Sequence, residues 1–299
     1  MSPLTGKTKV SFKPMETPVV DIMQGAARWE TKVHKHGLVA LIDVMPRLVP
    51  EGKTADSAIV QAARVSYGEG TNKITEDRSL IRYLLRNQHT SPFEMVEFKF
   101  HHVMPIFVAR QWIRHRTASL NEYSARYSIV KDRFYRPAIS SLRQQSKTNK
   151  QGGTEPLDDL TAAEFSHYLD STETHFKEYQ QLLDKGVARE LARIGLPQNL
   201  YTEWYWKIDL HNLLHFLKLR MDIHAQLEIR EYAKIMFDMI KPIVPMTIEA
   251  FEDYQLGAVT LTRLEVEAMR SGAPLVSDNK REHAEWAEKQ RTLGLTPRS

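Results

Sequence analysis

The spacing of apolar and polar positions divides the chain into short alternating stretches and longer stretches of helical period. The run Gly37-Leu38-Val39-Ala40-Leu41-Ile42-Asp43 is short, apolar and strand-like. Alternation appears at Val96, Phe98 and Phe100 on one face against Glu97, Lys99 and His101 on the other, which predicts a half-buried strand. Leu200 to Ile208 alternates again and is rich in aromatic residues, so its Tyr201, Trp204, Tyr205 and Trp206 read as sheet packing. A further strand is expected near Arg126 to Val130. Among the helical stretches, Asp56 opens a short helix through Arg64. Thr75 caps a firmer one from Glu76 to Asn87, with Leu80, Ile81, Leu84 and Leu85 inward. His89-Thr90-Ser91-Pro92 breaks that helix, because proline disfavours helix in the residue before it. Pro105 suits the first turn of another, which carries Ile106, Ala109 and Ile113 inward and ends in Arg114-His115-Arg116.

Further along, Thr161 and Glu164 match a capping box opening a long helix that ends at Lys185-Gly186. Asp209 caps a single long helix running to Lys241-Pro242. From Ile248 the pattern is helical but charged, interrupted by Ser271-Gly272-Ala273-Pro274. Residues 1–36 are proline-punctuated and read as an N-terminal arm. Residues 141–156 are polar and without periodicity, and read as a flexible insertion. The resulting organisation is an arm (1–36), one domain (37–246) and a helical C-terminal extension (247–299). The strands are amphipathic and no glycine-rich strand-to-helix turn occurs, which argues against a Rossmann dinucleotide fold. The expected class is α/β (α+β), with an amphipathic, mainly antiparallel sheet packed against long helices.

Composition changes this picture in one respect. With 299 residues, 42% hydrophobic and 26% charged, the chain has the material for a sizeable core without staples. It contains no cysteine, so disulfides, cysteine-ligated metals and a thiol nucleophile are all excluded. No stretch approaches the length of a membrane helix and no secretory signal is visible, so a soluble, cytoplasmic protein without a membrane partner is expected.

The net charge of +4 is modest, but its distribution is not. Between positions 110 and 136, Arg110, Arg114, Arg116, Arg126, Lys131, Arg133 and Arg136 face only Glu122 and Asp132, a local excess of five. Ser119, Asn121, Ser124 and Ser128 are interleaved with them, as are Tyr123 and Tyr127. Guanidinium forks match phosphate oxygens, and serine hydroxyls with backbone N–H groups complete such a cradle. The residues alone therefore point to a phosphate-bearing ligand.

The segment Arg114 to Arg126 reads R-H-R-x-x-S-x-N-x-x-S-x-R, seven fixed positions in thirteen. It resembles the signature of the flavin-dependent thymidylate synthases. The resemblance extends to Ser66, to His89 and Ser91 in H-T-S-P-F-E, to Gln111, to Arg193 before G-L-P, and to Leu219 through Arg230. It covers roughly Leu38 to Pro242. It implies that family's fold, a homotetramer with sites shared between subunits, and synthesis of dTMP from dUMP. Methylenetetrahydrofolate would be the carbon donor, FAD the hydride carrier and NADPH the reductant.

Carried residue by residue, the resemblance implies dUMP contacts at Gln111, Trp112, Ile113, Arg114, Glu122, Tyr123, Ser124, Ala125, Arg126, Arg193 and Arg220. It implies FAD contacts at Ser66, Ser91, Arg114, His115, Arg116, Asn121, Glu122, Asp209, His211 and His215. His89 resembles the histidine beside flavin and folate. Positions 209 and 215 are often asparagine in relatives, and position 95 often histidine; here they are Asp209, His215 and Met95. An aspartate would repel FAD phosphates, so Asp209 is expected to act as a helix cap or to face the adenosine. Without a thiol to attack C6 of uracil, the remaining route is to stabilise an ionised N3, a task that suits Arg220. Ser124 reads as a phosphate ligand, because no base beside it is evident.

Simpler readings compete at several positions. The i,i+4 pairs His211/His215 and His224/Glu228 permit metal ligation, yet such polar pairs are common on helices, and no metal is expected. The arginine–tyrosine interleaving also permits an RNA- or single-strand-binding module, which would need longer basic tracts. With the charge confined to one loop, a small ligand is favoured and no nucleic-acid partner is expected.

Overall fold

The computed structural model describes residues 19–65, 76–146 and 152–295. Strands in chain order are β1 (Val19–Asp21), β2 (Trp29–Val33), β3 (Gly37–Met45), β4 (Leu48–Pro50), β5 (Glu97–Pro105), β6 (Ser119–Glu122), β7 (Arg143–Gln145), β8 (Gly153–Pro156) and β9 (Tyr201–Asp209). The main sheet has the order β2-β3-β5-β9-β6 and every pairing in it is antiparallel. That agrees with the amphipathic alternation in the sequence, since an antiparallel sheet can bury one face and leave the other wet. Phe98 and Phe100 of β5 and Trp204, Trp206 and Ile208 of β9 are buried, whereas Lys99, Tyr205 and Lys207 are exposed.

The helices are α1 (Asp56–Val65), α2 (Asp77–Arg86), α3 (Ile106–Trp112), α4 (Asp159–Asp184), α5 (Arg189–Ala192), α6 (Leu210–Arg220), α7 (Leu227–Ile240), α8 (Pro245–Phe251), α9 (Arg263–Ser271) and α10 (Lys280–Thr292). Helices α3, α6 and α7 bring large side chains onto the sheet. The fully buried Trp112 stacks on Phe216 at 4.8 Å and meets Trp204 and Trp206 edge-on at 5.9 and 5.5 Å. A second cluster, Val130, Phe176, Tyr179 and Leu200, fixes α4 beside the start of β9. Asp56, 1% exposed, accepts the backbone N–H of Met246 and Thr247 and so caps the first turn of α8.

Several expectations are corrected. Residues 29–33, read as part of an arm, form an edge strand of the main sheet, and Val19–Asp21 pairs with β4. The strand expected near Arg126–Val130 is instead a turn, and the strand lies earlier, at β6. Within the 141–156 segment β7 and β8 pair antiparallel, and residues 147–151 lie outside the described residues. The helix after Asp209 is broken, because Met221 to Gln226 leave helical geometry between α6 and α7. Helix α4 is capped by Asp158, which accepts from the Thr161 N–H at 2.9 Å, rather than by Thr161 itself. Ile113 is 47% exposed, and Val108 and Trp112 point inward in its place. Thr75 and Ser66 lie outside the described residues.

The chain divides into two compact units, at Phe251/Glu252 rather than at 247. Ile248, Ala250 and Phe251 are buried and Glu249 pairs with Arg82 at 2.7 Å, so α8 belongs to the first unit. The second unit has its own small core of Ala268, Leu275 and Trp286. Thr262 and Glu265 form a capping box at the start of α9, and Glu265 pairs with Lys289 of α10 at 2.8 Å.

Candidate active site

The arginine-rich loop is held at both ends by β9. Strand β6 pairs Glu122 with Trp204, and the Tyr123 N–H continues the ladder by donating to the Glu203 carbonyl at 2.8 Å. The chain then turns: the Tyr127 and Ser128 N–H groups both donate to the Ser124 carbonyl, and Ser124 Oγ accepts from the Arg126 N–H at 3.3 Å. This is the serine-stabilised turn geometry that competes with regular structure. Beyond it the Val130 N–H docks on the Tyr179 hydroxyl of α4 at 3.2 Å, and Tyr201 donates its N–H to the Arg133 carbonyl. Ala125 packs against the α4 cluster. Arg126 meets Glu190 at 3.5 Å, and Arg189 donates to the Tyr127 carbonyl at 2.8 Å. A cleft of about 550 Å³ lies beside Arg126, Tyr127 and the α4–α5 connection.

A second group forms where the ends of α3 and α6 meet. Arg220, the last residue of α6, is half-buried, and its Nε–H donates to His115 Nε2 at 3.0 Å. Its Nη2 lies 3.5 Å from the Gln111 carbonyl, one of the free carbonyls at the end of α3. No carboxylate pairs with Arg220 among the described residues. The His115 ring stands edge-on to Phe216 at 4.9 Å and 6.0 Å from the His215 ring. Burial first, then the charges of Arg220 and His215, lower the His115 pKa to about 4, so the imidazole is neutral near pH 7. Burial also lowers the pKa of Arg220 from its ordinary value. The Gln111 side-chain amide donates to Gln226, across the gap between α6 and α7.

The remaining expected residues lie on several elements. Arg114 and Arg116 are exposed, and their guanidinium groups make no ion pair among the described residues. Glu122 accepts from the Thr202 hydroxyl at 2.7 Å, while the Tyr123 hydroxyl donates to the Ile129 carbonyl. Asn121 is exposed on β6. Trp112 is fully buried at the end of α3. Arg193 sits half-exposed on the 3-10 turn that follows α5. Ser91 opens the 3-10 turn Ser91–Met95, where it and His89 are exposed, and the His89 ring lies 5.7 Å from Tyr83. Asp209 is the helix cap, with its oxygens accepting from the Asn212 N–H at 2.9 Å and the Asn212 side chain at 2.7 Å. His211 and His215 follow on the first turns of α6.

Partners such as Gln226, Glu190 and Thr202 escape sequence reasoning because each meets the site only through tertiary contact. Gln226 lies inside the recognisable Leu219–Arg230 segment, which is the one signal that could have found it.

The chain is 63% identical over 278 residues to a protein of Dictyostelium discoideum named flavin-dependent thymidylate synthase, covering 93% of this chain and 92% of that one. A protein of the same name from Wolbachia pipientis wMel is 51% identical over 242 residues, covering 81% of this chain and 82% of that one. A family model described as "Thymidylate synthase complementing protein" matches residues 47–246. The chain belongs to the flavin-dependent thymidylate synthase family. Among solved structures, a crystal structure of the UMP/dUMP methylase PolB from Streptomyces cacaoi bound with 5-Br dUMP has a TM-score of 0.64 at 36% identity. It covers 75% of this chain and 98% of that chain. The family-model match thus spans β4 through the start of α8, while the edge strand β2 and its neighbour β3 precede it in the sequence.

Proposed function

We propose that the chain converts dUMP to dTMP, with methylenetetrahydrofolate as carbon donor, FAD as hydride carrier and NADPH as reductant. The observation that carries this reading is Arg220, a half-buried guanidinium held by two neutral acceptors, in a chain without cysteine. C5 of uracil is a poor nucleophile, and no thiol exists here to activate the ring by adding to C6. A cation aimed at the ring edge supplies the alternative, because it stabilises the anion left when N3 loses its proton. With Nε directed to His115 and one Nη2 hydrogen to the Gln111 carbonyl, three N–H groups of Arg220 remain to form that contact.

Arg126 and the Ser124 turn suit the nucleotide phosphate, and Arg126 exchanges Glu190 for it on binding. Glu122, oriented by Thr202, suits a sugar hydroxyl. Among the described residues no histidine, lysine or carboxylate hydrogen-bonds the Ser124 hydroxyl, which supports a binding role and not a nucleophilic one. The residues present fit a flavin dinucleotide. Arg114 and Arg116 are exposed cations without an ion pair among the described residues, matched to a diphosphate, and His211 and His215 lie on the adjoining first turns of α6. FAD bound there supplies the hydride. Asp209 serves this arrangement by capping α6, since its carboxylate is spent on Asn212.

Within one protomer these residues are spread out. Asp209 and Arg220 stand at opposite ends of α6, about 16–17 Å apart by helix rise. Asp209 is also five β9 residues from the position paired with Glu122, about 17 Å by strand rise. The family resemblance implies sites completed between subunits of a homotetramer, working in the cytoplasm on a small-molecule substrate. The test is direct. The purified protein should show flavin absorbance and, given dUMP, methylenetetrahydrofolate and NADPH, should form dTMP. A colourless protein indifferent to added FAD and dUMP would refute it.

A further inference from the structure

We infer that His115 is a positioning residue for Arg220: its neutral imidazole aims the guanidinium without discharging it. The inference rests on the nucleotide-binding reading of Arg220 given above, and four observations carry it.

The first is the direction of the hydrogen bond. Arginine Nε can only donate, so His115 Nε2, 3.0 Å away, must present its lone pair, and the ring proton sits on Nδ1. The second is what surrounds the arginine. A half-buried guanidinium is ordinarily matched by a carboxylate, whereas Arg220 has an imidazole and a backbone carbonyl. Both acceptors are neutral, and a carboxylate in either place would hold the group equally well while cancelling the charge the reaction needs. The third is the choice of atom. By engaging Nε, His115 fixes the plane of the guanidinium and leaves Nη1, with the second Nη2 hydrogen, for a ligand. The fourth is the rigidity of the support. The His115 N–H donates to the Trp112 carbonyl at 3.0 Å, and the ring stands edge-on to the fully buried Phe216. Trp112 in turn stacks on Phe216, so the same core pair fixes both ends of the contact.

A depressed pKa of about 4 agrees with this role, since a protonated imidazole would have no lone pair to offer and would repel Arg220. Misaiming a reacting group by an ångström can cost about 10²-fold in rate, so a residue that touches no reacting atom can still govern turnover.

The test compares three variants, with the flavin content of each measured by absorbance and rates expressed per bound flavin. In His115→Gln the amide oxygen replaces Nε2 as a neutral acceptor; in His115→Glu the acceptor is charged; in His115→Ala there is none. The Arg220 Nε–H signal is read by 15N NMR on nucleotide-free protein and assigned through Arg220→Lys. The Gln variant should keep that signal and keep kcat within several-fold, close to wild type on the scale of the expected losses. The Glu variant should keep the signal but lose kcat by about 10²-fold, and the Ala variant should lose both. A Glu variant as active as the Gln variant would overturn the inference. So would an Ala variant with an unchanged Nε–H signal, or flavin lost from the Gln variant as fully as from the others, which would make the ring a cofactor contact. Failure of the underlying reading is distinguishable: Arg220→Ala would then turn over normally, while the NMR comparison would still report the His115–Arg220 contact.

Discussion

Replacing Arg220 by lysine retains a positive charge and removes the geometry, which separates the two contributions assigned to this residue. Lysine has no Nε–H to give His115 at 3.0 Å and no fork to span the Gln111 carbonyl and a ligand together. The half-buried setting fixes the scale. At an effective dielectric near 20, two unit charges about 4 Å apart interact by about 4 kcal/mol, whereas in bulk water they would interact by only about 1. Removing the charge with Arg220→Ala should therefore cost about 4 kcal/mol of transition-state stabilisation, roughly a thousandfold in rate. Arg220→Lys should lose about 10²-fold, in line with deletion of one oriented donor at a developing anion. Both variants should keep their flavin, because no FAD contact is assigned to Arg220. The assay is initial-rate dTMP formation per bound flavin, with kcat and KM for dUMP separated. The loss should fall mainly on kcat, as for an interaction that strengthens in the transition state. A lysine variant within threefold of wild type would refute the oriented-fork argument; an alanine variant that close would refute the charge argument too.

Other outcomes follow from the same contacts. Ser124→Ala should weaken dUMP binding and keep measurable kcat; complete loss of turnover at unchanged dUMP affinity would return the serine to candidacy as a nucleophile. His115 has a pKa lowered from 6.5 to about 4, so between those values the unfolded chain binds a proton that the folded chain does not. Stability should accordingly fall as pH drops through that window, and His115→Gln should flatten the slope of urea midpoint against pH; identical slopes would contradict the shift. Asp56→Ala should cost about 2–5 kcal/mol in urea denaturation, because the fully buried Thr247 would lose the acceptor of both its N–H and its hydroxyl. A loss under about 0.5 kcal/mol would mean other acceptors take over.

Much of the fold is legible in the sequence where burial has a simple period. The first half of β5 (Phe98, Phe100) and β9 from Trp204 to Ile208 show it plainly, since there the buried residues fall on every second position. Asp209 reads as a helix cap from residue type alone, and the structure agrees. Legibility fails where tertiary contact overrides local pattern. Strand β2 reads W-E-T-K-V, with little apolar signal, because it is an edge strand whose hydrogen bonds come from β3. The break between α6 and α7 is hidden because Met221 to Gln226 contain no glycine or proline; that segment is shaped by its contacts, including Gln111 with Gln226 and the Arg230 side chain on the Ile223 carbonyl. For the site, the cationic serine-rich loop is visible as a cluster of charge. The pairing of His115 with Arg220 across 105 positions is not, and neither is the burial that keeps that imidazole neutral.

The central claim is that oriented cations, and no side-chain nucleophile, activate the uracil ring. Intact-protein mass spectrometry after acid quench of a single turnover tests it most directly. The account predicts polypeptide of unmodified mass at every time point while dTMP accumulates. A transient species heavier by one nucleotide, mapping to Ser124 or any other side chain, would contradict it.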